Sequence, residues 1–196
     1  MHVPRAFHME EHDALSAIDA HPFATLIALP DGEATHVPVL RSDRLLHGHV
    51  ARASPIAERI AAGCDLLAIF LGEHGYISPR WYRSAPQVPT WSYEAVHVRG
   101  RARAIEDPDA VRALLAGLTE RFEPAAGGWS IDGVPADFVR SLQRAVLAFE
   151  LPIERLEGKA KLGQNRSDDD RAGAVEGLRA AGDLGLADAM TRAMRR

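Results

Sequence analysis

The sequence predicts a mainly β protein with peripheral helices, in which six or so antiparallel strands close into a small barrel. Three observations lead there. Apolar and polar residues alternate with a period of two over several short runs, the pattern of half-buried strands. Tight-turn residues, Pro30-Asp31-Gly32 and Ser42-Asp43, punctuate the first of these runs into a meander. Helical periodicity is confined to stretches between and after the strands, and closure into a barrel removes the exposed edges a flat sheet would leave.

In chain order, Glu11 to Ala20 reads as a short helix carrying Leu15 and Ile18 at helical spacing. Phe23 to Leu29 is a strand with Phe23, Thr25, Ile27 and Leu29 on one side, followed by strands at Ala34 to Arg41 and Arg44 to Ala51. Ser54-Pro55 opens a helix, because proline is tolerated in a first turn and serine can cap it; the helix runs through Ile56 to Ala62 and ends at Gly63. Asp65 to Gly72 is near-continuously apolar and is expected to be buried on both faces. Ala95 to Ile105 alternates instead, setting Val96, Val98, Gly100, Ala102 and Ala104 against His97, Arg99, Arg101 and Arg103. Asp107-Pro108 starts a helix whose Val111, Leu114, Leu115, Leu118 and Phe122 form one apolar stripe. A further helix spans Pro135 to Arg144, a last strand carries Leu147, Phe149, Leu151 and Ile153, and the tail from Asp168 is helical through Val175 and Leu178. The expected organisation is a barrel domain over 1–166 with inserted helices and a helical extension over 167–196 packed on the same unit.

Composition narrows the function. A chain of 196 residues with a net charge of −4 and a pI near 6.1 lacks the strongly basic character of a nucleic-acid coat. The single cysteine, Cys64, opens an apolar run and reads as a small buried hydrophobe, which fits a reducing compartment. The N-terminus has no apolar stretch of signal-peptide length and no window approaches a membrane span, so a cytoplasmic protein is expected.

The usual catalytic signatures are missing. There is no GxSxG elbow, no Walker loop ahead of Gly158-Lys159, no GxGxxG and no HExxH or CxxC. Nine histidines include His47 and His49 on one strand face, with His36 and His97 as further candidates, but hydrogen-bonded strand histidines are the default reading and no metal is expected. Two polar segments are more specific. Arg52 sits where a strand gives way to a helix, and Ser54 offers a hydroxyl beside that helix's amides, either as a phosphate cradle or as an ordinary cap. Lys159 and Lys161 are two apart, so an extended backbone sets both ammonium groups on one side, with Gln164 and Asn165 following; the alternative is a solvated basic turn. Gly75 to Gly100 holds all three tyrosines and two of the three tryptophans. Trp81, Tyr82, Trp91 and Tyr93 suit either a wall for a planar ligand or a dimer seam.

Taken in order, PRAF (4–7), HGHVARASP (47–55), AIFLGEHGYISPRWY (68–82), VPTWSYEAVHVRG (88–100) and EGKAKLGQN (157–165) resemble the PaiB-type FMN-binding negative transcriptional regulator family. The resemblance runs from about Val3 past Asn165. It implies a six-stranded, Greek-key-like split β-barrel related to pyridoxamine phosphate oxidases, a homodimer with FMN between subunits, and a repressor's role. Arg52 and Ser54 would hold the flavin phosphate, and Lys159, Lys161, Gln164 and Asn165 match the family's KxKLxQN segment. Trp91 and Tyr93 match its TWxY strand and would face the flavin or the interface. The chain departs from the pattern at His2, where the family usually has Tyr, at Ala53-Ser54 in place of Ala-Asn, and at Gly163 in place of Ser.

The leading expectation is thus an FMN-binding regulator or flavin-dependent sensor. An FMN-dependent oxidoreductase acting on a small molecule is the alternative, since the cofactor would carry the electron chemistry and few catalytic side chains need show. A haem-handling barrel rests on the histidines alone. DNA contact has only Arg99, Arg101, Arg103 and the C-terminal Arg192, Arg195 and Arg196 to draw on, and solvated faces are the default reading of these.

Overall fold

The computed structural model describes residues 1–124 and 126–195. Its helices are Glu11–Ala20 (α1), Pro55–Ala61 (α2), Pro108–Phe122 (α3), Ala136–Ala145 (α4), Asp168–Ala180 (α5) and Leu184–Met194 (α6). Its strands are Phe23–Ala28 (β1), Ala34–Ser42 (β2), Leu45–Ala51 (β3), Asp65–Ile77 (β4), Thr90–Arg101 (β5), Arg103–Ile105 (β6), Val146–Pro152 (β7) and Arg155–Lys161 (β8). They form two compact units interleaved along the sequence: 21–70 with 97–156, and 1–20 with 71–96 and 157–196. The long strands β4 and β5 contribute one half to each.

In the unit 21–70 and 97–156 the strand order is β6-β7-β3-β2-β1-β4. Register is fixed by alternation: Leu46 lies opposite Leu151 and Gly48 opposite Phe149, and Leu26, Leu46, Phe149 and Leu151 are all fully buried. Gly100 shows how tightly strands approach here, because a Cβ on it would stand 1.9 Å from the Pro152 carbonyl oxygen. Asp107 caps α3 by accepting from the Asp109 and Ala110 N–H groups, and Val111, Leu114 and Leu118 then pack with Ala148.

The other unit carries the order β4-β5-β8. Ile77, Leu162, Leu178, Leu186 and Met190 are its core. Trp81 lies against α5 at Gly177, where a Cβ would fall 2.3 Å from its ring. Asp170, 2 % exposed, ties the loop to the helix by accepting from the Arg83 N–H, the Ser84 N–H and the Ser84 hydroxyl at 2.7–2.8 Å. The Ser84 hydroxyl and N–H lead in holding its carboxyl below the usual carboxylate range; the Arg83 N–H and Ser167 hydroxyl add to this against an opposing effect of burial. α5 and α6 meet at Gly182, with φ of +84°, and Asp183 caps α6.

Several expectations change. Among the described residues the sheet has eight strands: the basic segment expected only as extended backbone pairs as β8, and the run expected to end at Gly72 continues to Ile77. β4 is not buried on both faces, because Leu66, Ala68 and Phe70 are buried while Leu71 is 51 % exposed. In β1 the core side is Ala24, Leu26 and Ala28, leaving Phe23 exposed beside His36. Phe122 leaves the apolar stripe of α3 at the helix end, where it is exposed. The helical tail is two helices, and it belongs to the unit containing 1–20 and 71–96.

Candidate functional site

Arg52 stands at the end of β3, where its backbone N–H donates to the Ala145 carbonyl at 2.9 Å and its Nε to the Arg144 carbonyl at 3.0 Å. These two bonds fix the guanidinium against the end of α4. Arg140 and Arg144, at i, i+4 on that helix, join Arg52 and Gln143 around a cavity of about 520 Å³. Glu106 is its one acidic residue, and Ile105, Pro108 and Val111 give it an apolar side. That volume lies in the range of pockets that bury cofactor-sized ligands, about 300–1,000 Å³. Arg140 is paired with Asp137, which leaves the Arg52 and Arg144 guanidiniums to neutralise a phosphate dianion through charge-assisted hydrogen bonds, while the apolar side accepts a ring. The residues present therefore fit a phosphorylated planar group. Arg52 was visible in the sequence; Arg140, Gln143 and Arg144 were not singled out, although two arginines four apart at a helix end were the available signal.

Ser54 sits at the cap position of α2, but its hydroxyl donates to the Ala51 carbonyl at 2.6 Å and makes no capping bond. Its oxygen keeps its acceptor capacity and the expected cap is replaced by a closed turn. Cys64, at the other end of that connection, is half-buried, and burial raises its thiol pKa.

The basic segment lies in the other unit. Lys161 donates to the Thr90 hydroxyl and, at 2.9 Å, to the Trp91 carbonyl, so β8 and β5 share it. Lys159 points elsewhere, bonding the His2 carbonyl at 3.2 Å with its ammonium 5.3 Å from the centre of the Tyr93 ring. Gln164 is spent on its own turn: its oxygen accepts from the Leu162 N–H and its amide donates to the Ala160 carbonyl. Lys161 and Asn165, with Tyr82, Arg166 and Arg171, line a cavity of about 220 Å³. Of the basic segment's four candidates, Lys161 and Asn165 are thus brought together, and Lys159 and Gln164 are not. The turn sets residue 163 at φ of +86°, a conformation glycine adopts without strain.

Trp91 is 51 % exposed and stacks on His74 with ring centres 6.0 Å apart. Leu71 and Tyr76 of β4 are exposed in the same unit. Among the histidines, His49 borders an apolar cavity of about 430 Å³ with Leu118, Phe122 and Trp129; its Nδ1 is buried without a partner and burial lowers its pKa. Among the described residues no three of His, Cys, Asp and Glu cluster as metal ligands, and no helix is long and apolar enough to cross a membrane. The cationic strand face is largely compensated: Arg101 lies beside Asp65 and Arg103 beside Glu150, each at 3.7 Å. Arg196 lies outside the described residues.

The chain is similar to known proteins over most of its length. Residues 1–155 match the family model described as "Putative FMN-binding domain". The protease synthase and sporulation protein PAI 2 of Bacillus subtilis is 29 % identical over 188 residues, covering 91 % of this chain and 89 % of its own. An uncharacterised Aspergillus fumigatus protein is 25 % identical over 74 % of this chain and 70 % of its own. Among solved structures, the FAD and heme binding protein from Mycobacterium smegmatis superposes with a TM-score of 0.62 at 23 % identity, over 86 % of this chain and 78 % of that one. The flavocytochrome Anf3 from Azotobacter vinelandii gives 0.64 at 18 % identity, over 81 % and 72 %. At those identities the structures establish the fold, a split barrel of antiparallel strands with peripheral helices. With a family model spanning most of its length and a cavity suited to a phosphorylated ring, the chain belongs to the FMN-binding domain family, and FMN is its cofactor.

Proposed function

We propose that the chain is a homodimeric, cytoplasmic FMN-binding regulator, a flavin-dependent sensor or repressor. The observation that carries the cofactor reading is the set of guanidiniums of Arg52, Arg140 and Arg144 around one cavity of about 520 Å³. In this reading Arg52 and Arg144 hold the phosphate, and Ser54 contributes an acceptor and a hydroxyl that can turn away from Ala51. The flavin, when bound, supplies hydride and electron transfer; the chain's residues orient it and set its electrostatics. Trp91, Tyr93 and Lys159 belong to the flavin or dimer seam, which the half-exposed Trp91 and the exposed Leu71 and Tyr76 support.

The regulatory part rests on the likeness to PAI 2, whose name joins protease synthesis with sporulation. Direct contact with DNA has little support, because Arg101 and Arg103 each face a carboxylate. A gel shift at several salt concentrations tests it: phosphate contacts would make binding fall steeply with salt. Absent or salt-independent binding would leave a sensor acting through another protein. Mixing the flavin-loaded protein with NAD(P)H and a panel of acceptors separates sensor from oxidoreductase. A regulator reduces slowly and turns nothing over, whereas multiple turnovers would make it an enzyme.

A further inference from the structure

We propose that the cavity of about 220 Å³ in the unit 1–20, 71–96 and 157–196 is a second binding site, one for a compact organic anion that acts as an effector. The proposal goes beyond the flavin reading, because every residue lining this cavity belongs to that unit, whereas Arg52, Arg140 and Arg144 all belong to the other.

The charge of the site is one-sided. Lys161, Arg166 and Arg171 line it, and among the described residues no carboxylate does. Of the acidic groups nearby, Asp168 pairs with Arg171 but is 84 % exposed, and Asp170 has its oxygens filled by Arg83 and Ser84. Arg171 is the central observation. Its side chain is only 14 % exposed, and its Nε is buried with no partner. Its guanidinium is thus held on the cavity wall, where it can bind an incoming oxyanion through charge-assisted hydrogen bonds. Arg166 is held in place by the Gln87 side chain and by the Tyr82 ring, 4.9 Å below its guanidinium carbon. It is therefore pre-oriented, which lowers the entropy lost on binding.

Size and walls set the ligand class. The volume is below that of pockets for drug-sized ligands, about 300 Å³ and upward, so an intact FMN is excluded and a small acid fits. Phe7, Tyr82 and Met190 supply apolar surface, while Thr90, Ser92 and Asn165 offer polar atoms. A carboxylate or phosphate head on a short, flat apolar body matches that arrangement. Six of the ten lining residues, from Lys161 onward, follow the segment matched by the FMN-binding family model, which ends at residue 155. The site is thus assembled mostly by the part of the chain beyond that match.

The test is calorimetric titration of the full-length, FMN-loaded protein with benzoate, phenyl phosphate and the neutral isostere benzamide. Benzoate or phenyl phosphate should bind once per chain, the better of the two naming the head group, and benzamide should bind about tenfold more weakly or less, as loss of charge-assisted bonds requires. Arg171→Met keeps the alkyl stem and should weaken the anion about tenfold or more with flavin content unchanged. Arg166→Met should do the same, and serves if the first variant folds poorly. Arg52→Ala should lose flavin yet keep the anion, so failure of the flavin assignment is separable from failure of this one. Binding of neither anion at millimolar concentration, or displacement of FMN by benzoate, would overturn the proposal.

Discussion

Two polar residues, the buried Asp170 and the half-buried His49, make opposite uses of their surroundings. Asp170 is stabilised as a carboxylate by donors from Ser84, Arg83 and Ser167, so its folded pKa is below the unfolded value of about 3.9. The stability it contributes is present above that value and is lost as pH falls through the lower folded one. Asp170→Asn should therefore lower the melting temperature at neutral pH, and its deficit against the parent should shrink as both are acidified below about pH 3.9; thermal melts across that range check it. His49 has the reverse problem: burial disfavours its imidazolium and nothing partners Nδ1. With a folded pKa below the unfolded value of about 6.5, its contribution is complete above that value and declines as pH falls toward the folded one. Its ring-proton resonance should titrate with a midpoint below about 6.5; an ordinary midpoint would contradict the burial argument.

At the scale of elements, close backbone approach dominates. Gly100→Ala would drive a Cβ into the Pro152 carbonyl, and because backbone cannot rotate aside, a loss of about 3 kcal/mol or more is expected in urea unfolding. Asp107→Ala, which only removes the α3 cap, should cost about 1 kcal/mol. The contrast shows what sequence could and could not display. α1, α3 and the strands β2 and β3 followed from periodicity, capping residues and turns, all of which are local. β8 escaped because Lys159, Ala160 and Lys161 carry no apolar alternation; partner strands, not composition, make that segment a strand. The two faces of β4 were indistinguishable in an unbroken apolar run, and only the fold decided that Leu71 would be exposed. In the site, Arg52 was legible through its place between strand and helix. Arg140, Arg144 and Arg171 were not, because ordinary helix arginines acquire meaning only when tertiary structure gathers them around a cavity.

For the molecule as a whole, the proposed assembly and cofactor are linked. The exposed Leu71, Tyr76 and Trp91 give β4 and β5 an apolar surface that a second copy would cover. Light scattering should give twice the 21.3 kDa chain mass, and Trp91→Glu should shift that to the monomer while lowering flavin content. A monomeric parent that holds FMN would remove the seam from the account. The central claim is that this chain carries FMN through Arg52. Its most direct test is the absorption spectrum of the freshly purified protein, chromatography of what denaturation releases, and FMN titration of the parent and Arg52→Ala. The parent should release FMN, and the variant should bind it about tenfold or more weakly, the loss of a charge-assisted phosphate contact. A parent that releases no flavin and shows no binding on titration, or a variant that binds FMN as well as the parent does, would contradict it.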